Sequence, residues 1–117
     1  MLKSLDFVML HVPNVETARA FYTEKLGFGI ADQQPGFVQF ERGSGGAIFA
    51  VVQSETTPSY AGFELWWDVA DADATYADLT GKGVPALMPP TDMPFGRAFT
   101  LQDPFGHQLH FFAPREA

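Results

Sequence analysis

The sequence predicts an α+β chain of two tandem modules, each made of a strand, a helix and three further strands. The first observation behind this is a short apolar segment followed by a polar helix-capping residue, Asn14 in one half and Asp71 in the other. The second is that Val12 and the Gly27-Phe28 pair have counterparts at Val69 and Gly83-Val84, which makes the chain a degenerate repeat. The third is length: 117 residues suit a single domain able to bury a real core. We therefore expect one domain over 1–117, with module one at about 1–53, a linker at about 54–60 and module two at about 61–117.

The elements follow in order. Phe7-Val8-Met9-Leu10-His11-Val12 is short and apolar and ends at Pro13, as a buried strand does. Asn14 then caps a helix whose stripe is Val15, Ala18, Phe21, Tyr22 and Leu26, and Gly27 stops it. Strands are expected near 28–32, 37–42 and 47–53, separated by Pro35-Gly36 and by Gly43-Ser44-Gly45-Gly46. That glycine tract precedes a strand and not a helix, so it reads as neither a phosphate cradle nor a nucleophile elbow. The polar stretch from Ser54 to Ser59 reads as the linker. In the second half, Phe63 to Val69 is a strand, and Asp71 caps a helix running to about Lys82-Gly83. Strands near 84–88, 98–102 and 107–113 finish the module, with a Pro-rich loop expected between the first two.

Composition excludes several functions. Fourteen acids against seven bases give a net charge of −7, which opposes binding to phosphate backbones and favours cationic ligands. Cysteine is absent, which removes thiol catalysis and thiolate metal sites. No apolar run approaches the ~20 residues of a membrane span, and the N-terminus shows no secretory pattern. A cytoplasmic protein with no nucleic-acid or membrane partner is expected. The twelve phenylalanines are a surplus that needs a structural explanation.

Two stretches carry a family resemblance. They are Val12-Pro13-Asn14-Val15 through Ala20-Phe21-Tyr22-Thr23-Glu24-Lys25-Leu26-Gly27-Phe28, and Phe99-Thr100-Leu101-Gln102-Asp103-Pro104-Phe105-Gly106-His107-Gln108-Leu109-His110-Phe111. Together with the repeat they resemble the vicinal oxygen chelate superfamily, which includes glyoxalases, extradiol dioxygenases and bleomycin-resistance proteins. The resemblance implies two βαβββ modules forming a curved mixed sheet around a concave cup, usually paired in a homodimer. Strand alternation then sorts side chains. Val8, Leu10 and Val12 should lie beneath the helix, with Phe7, Met9 and His11 facing the cup. Phe49 and Val51, then Glu64, Trp66 and Asp68, then Gln108, His110 and Phe112 are expected to face it too, with Trp67 under the helix. His107 is expected to face solvent, and Arg97 to reach towards the mouth of the cup.

Metal-dependent members of the superfamily take ligands from four places, which by the resemblance fall on Phe7, Phe49, Glu64 and His110. Phenylalanine cannot coordinate, so no metal or other cofactor is expected. The leading expectation is a binding protein that sequesters an aromatic or cationic compound, with Phe7, His11, Phe49, Glu64, Trp66, Asp68, His110 and Phe112 as ligand contacts. Seven acids against two bases in residues 61–103 support a cationic ligand. An alternative is a metal-dependent lyase or isomerase, or a dioxygenase-like enzyme, using Glu64 and His110 with a divalent ion. A third reading is a metal-free enzyme in which those two residues form an acid–base pair.

Overall fold

A computed structural model describes residues 5–43, 46–55 and 64–115. Most of the expected linker, and Phe63 at the start of the expected fifth strand, lie outside these residues. The chain divides into two compact units, Met1–Pro58 and Ser59–Ala117, each a four-stranded mixed sheet with one helix. The tandem βαβββ architecture is thus present in the molecule.

In the first unit the sheet order is β1-β4-β3-β2, with β1 (Phe7–Val12) parallel to β4 (Ile48–Gln53). β2 (Ile30–Gln34) and β3 (Phe37–Phe40) complete it in antiparallel fashion. The side chain of Asn14 accepts the Thr17 amide at 3.1 Å and so starts α1 (Val15–Ala20), satisfying one of the amides that a helix start leaves unpaired. The helix continues as a π-helical segment, Phe21–Lys25, closed by the Leu26 amide donating to the Phe21 carbonyl. Gly27 then turns the chain with φ at 81°, a conformation that residues with a Cβ adopt at a cost.

Tyr22 is fully buried at the centre of this unit, with ring contacts to Phe21, Phe28, Phe40 and Phe49. Phe40 and Phe49 stack at 5.6 Å. Much of the phenylalanine surplus is therefore core packing between helix and sheet, where each aromatic pair adds about 0.5–1.5 kcal/mol beyond its buried area.

This cluster corrects one expectation. Phe49 and Val51 pair with Val8 and Leu10, so they lie on the helix side of the sheet, away from the expected cup. Both are buried there. The residues of β4 on the opposite face are Ile48, Ala50 and Val52, in register with Phe7, Met9 and His11.

In the second unit the order is β5-β8-β7-β6, with β5 (Leu65–Asp68) parallel to β8 (Gln108–Pro114). Asp71 accepts the Ala74 amide and starts α2 (Ala72–Gly81). β6 (Ala86–Met93) and β7 (Gly96–Gln102) form a hairpin joined only by Pro94-Phe95. The expected Pro-rich loop is therefore largely strand. Pro89 and Pro90 sit within β6, where the register slips between Met88 and Thr91. An edge strand tolerates proline because one side of it has no ladder to feed.

Two local devices hold the ends of this sheet. The Asp103 carboxylate accepts the amides of Phe105 and His107 and contacts His107 Nδ1 at 2.6 Å, so the turn into β8 is knotted around one buried acid. His107 is buried in that knot, which corrects its expected solvent exposure. Gly96 has φ at 153°, and a Cβ there would stand 2.2 Å from the Ala113 carbonyl oxygen. Only glycine lets the hairpin tip approach the end of β8 so closely.

Candidate ligand-binding site

Three strands of the second unit form the site. Trp66 of β5 pairs with His110 of β8, which pairs with Thr100 of β7, so all three side chains rise from one face. Leu65, Trp67, Leu109, Phe111, Phe99 and Leu101 occupy the other face by the same register. Trp67 stacks on Phe111 there, and Tyr76 of α2 meets Phe99, as expected for the helix side.

On the open face the Trp66 indole and the His110 imidazole stack at 4.6 Å, nearly parallel. Phe95 and Phe112 meet Trp66 edge-on at 5.6 and 6.1 Å, and meet each other at 5.9 Å. Trp66 nevertheless keeps 39% of its surface exposed, a large apolar ring open to a ligand. The indole N–H donates to Glu64 Oε1 at 3.0 Å, which holds the carboxylate at the edge of the stack. Glu64 Oε2 lies 4.0 Å from His110 Nε2, beyond direct hydrogen-bond range. On its other edge the His110 ring shares a 3.0 Å hydrogen bond between Nδ1 and Thr100 Oγ1. Asp68, exposed on the same strand face, is in register with Phe112.

Five of the eight expected contacts, Glu64, Trp66, Asp68, His110 and Phe112, thus lie on one sheet face of this unit. Phe7 and His11 share a face of β1 in the first unit, with Phe7 and Met9 exposed and His11 half-buried. Phe49 is excluded by its place in the aromatic core. Two residues were missed. Thr100 was legible in principle, since it alternates with Phe99 and Leu101 on a strand facing His110. Phe95 stands in a tight turn, where no periodicity announces it.

The acids of this half are mostly engaged elsewhere. Asp71 caps α2, Asp78 pairs with Lys82, and Asp103 holds the turn. Arg97 forms a fork onto Asp73 at 2.8 and 3.1 Å and reaches Asp92 at 2.9 Å. It lies on the helix face of β7, one residue out of phase with Ala98, so it points away from the open face. This corrects its expected place at the mouth of the cup. Arg97, Asp73, Asp92 and Asp71 line a separate cleft of about 500 Å³ beside the start of α2. Glu64 and Asp68 remain as the acids of the open face. Among the described residues no three His, Asp or Glu side chains gather as a metal-ligand set. No helix among them is long and apolar enough to cross a membrane.

Two βαβββ units, each with a helix on one sheet face, define a glyoxalase-type protein. The chain belongs to the Glyoxalase/Bleomycin resistance protein/Dioxygenase superfamily, whose family model matches residues 4–111. No curated protein matches it. Among solved structures it is similar to TnmS3, an antibiotic binding protein from Streptomyces sp. CB03234, at 26% identity and a TM-score of 0.84, covering 97% of this chain and 98% of that one. It is also similar to a glyoxalase/bleomycin resistance protein from the same organism, at 27% identity and a TM-score of 0.77, with 93% and 99% covered. A glyoxalase family protein from Bacillus anthracis, 20% identical with a TM-score of 0.81 and 98% of each chain covered, shares the fold.

The Arg97 fork gives a prediction for stability. The hydrogen bonds from Arg97, and then its charge, hold the Asp73 carboxyl below its ordinary value of about 3.8. A depressed carboxylate contributes stability above its ordinary range and loses it as pH falls through the folded value. Urea unfolding of wild type and Asp73→Asn should therefore differ at pH 7, and the two should converge as pH drops below about 4. A difference that stays constant down to pH 2.5 would refute the charge account.

Proposed function

We propose that this chain is a metal-free small-molecule-binding protein that sequesters a planar aromatic compound, with a preference for cations, at Trp66 and Glu64. The observation that carries the reading is the Trp66 ring, partly exposed, framed by Phe95 and Phe112 and flanked by the Glu64 carboxylate bonded to its N–H. An aromatic wall with one acid suits a flat cation: the cation–π term contributes roughly 0.5–2 kcal/mol and the carboxylate supplies the charge partner. The likeness to an antibiotic binding protein supports the same class of function. Sequestration needs affinity and no chemistry.

The enzymatic alternative has less behind it. Catalytic divalent sites usually keep three protein ligands and an open position. Here Glu64 and His110 supply two, and one oxygen of Glu64 is taken by the indole N–H. On β4 the face in register with Phe7 and His11 carries only Ile48, Ala50 and Val52. This donor set does not fit a catalytic metal. The exposed Phe7 and Met9 of the first unit and Trp66 and Phe95 of the second also support a homodimer that covers apolar sheet faces.

Calorimetric titration with N-methylquinolinium and its neutral isostere 1-methylnaphthalene tests the site. Trp66→Ala should weaken both by roughly 1–3 kcal/mol through lost stacking and area. Glu64→Gln should weaken the cation alone; equal losses for the two probes would remove the charge argument. Purified protein should carry no stoichiometric zinc, nickel or manganese, and divalent ions should leave its melting temperature unmoved. One equivalent of metal lost on His110→Ala would overturn the metal-free reading. Light scattering at micromolar concentration should give twice the monomer mass, and a monomer would sink the dimer.

A further inference from the structure

We infer that Thr100 is a positioning residue for ligand recognition: Glu64 favours the His110 proton on Nε2, and the Thr100 hydroxyl, donating to the Nδ1 lone pair that this leaves, holds the imidazole in that tautomer and orientation. The inference rests on the binding function proposed above and specifies which chemical groups the ligand must carry.

Thr100 and His110 retain 6% and 8% of their exposure, so solvent is a poor substitute partner for either. The register sets them directly opposite one another, and the 3.0 Å contact between Oγ1 and Nδ1 follows. Trp66 covers one face of the ring, which leaves its two nitrogens to make in-plane hydrogen bonds. A threonine hydroxyl can donate or accept, so this contact alone permits either neutral tautomer. The other nitrogen decides between them. Nε2 faces Glu64 Oε2 at 4.0 Å, and an ionised carboxylate is only an acceptor. A lone pair on Nε2 would oppose that negative charge, whereas an N–H there is attracted by it. The proton therefore sits on Nε2, Nδ1 is an acceptor, and Thr100 donates.

This arrangement has a consequence for the ligand. The Nε2–H and the carboxylate are too far apart to satisfy each other, yet close enough for one polar edge to fit between them. That edge must offer an acceptor to His110 beside a donor to Glu64, as a ring amide or an aromatic hydroxyl does. The proposed ligand is a planar aromatic with adjacent acceptor and donor atoms, its rings against Trp66, Phe95 and Phe112. A purely cationic ring would use Glu64 and leave the His110 proton without a partner.

The tautomer is read directly in the wild-type protein by long-range ¹H–¹⁵N spectra of His110 at pH 8. The expected result is a single Nε2–H form; a predominant Nδ1–H form would overturn the proposal with no ligand involved. The ligand requirement is tested with 2-quinolone, which carries a ring amide, against 2-methylnaphthalene, which has nearly the same shape and no polar edge. Wild type should bind 2-quinolone the more tightly. Thr100→Val should cut that advantage roughly 2- to 10-fold and mix the tautomers, while Thr100→Ser should restore both. An unchanged advantage in Thr100→Val, with His110 still wholly Nε2–H, would refute the positioning role. If Trp66→Ala leaves both probes unaffected, the binding function itself fails, and the tautomer spectrum still judges Thr100 separately.

Discussion

Trp66, His110 and Thr100 form one rung across three adjacent strands, and the second unit depends on that register. A parallel pairing sets the tryptophan beside the histidine, and an antiparallel pairing sets the histidine beside the threonine. A slip of one residue in either would send His110 to the helix face, where Leu109 and Phe111 now lie. The rung produces the stacked rings, the buried hydrogen bond at Nδ1 and the direction of Nε2 together. The helix face fixes the register in turn, because Trp67, Phe99, Leu101, Leu109 and Phe111 give the sheet one side it must bury.

The edges of the rung are held by backbone devices. Asp103 gathers two amides and one imidazole at the start of β8, so the strand carrying His110 enters the sheet from a fixed turn. At the other end Gly96 brings the β6–β7 hairpin against the end of β8, which sets Phe95 beside Phe112 and Trp66. Neither residue belongs to the site, yet each decides where a wall of it stands.

The charge of the chain looks different once its partners are known. An acidic excess in the second half suggests a broad field that draws cations. Helix capping, the turn knot and the salt bridges of Arg97 and Lys82 engage five of those seven acids in local structure. The exposed salt bridges among these are weak and screened by salt, so they tie elements together without making a binding field. On the proposed binding function, selectivity at the open face rests on Glu64 and Asp68, a short-range effect.

The sequence by itself determined the βαβββ repeat, both helix caps, and the division between Trp66 and Trp67. These depend on local periodicity and on capping chemistry, which a single segment carries within itself. It misplaced Phe49, and the reason is physical. Ile48-Phe49-Ala50-Val51-Val52 is apolar on both faces, so it holds no alternation from which to read a phase. Only pairing with Val8 and Leu10 decided which way Phe49 points. The same limit hid Phe95, the burial of His107 and the true direction of Arg97. Each is set by a partner far along the chain or by a turn whose shape depends on what it packs against. Tertiary structure alone brought Thr100 to His110 and left 4.0 Å between His110 and Glu64, because distances between strands are fixed by the sheet and not by any one of its strands.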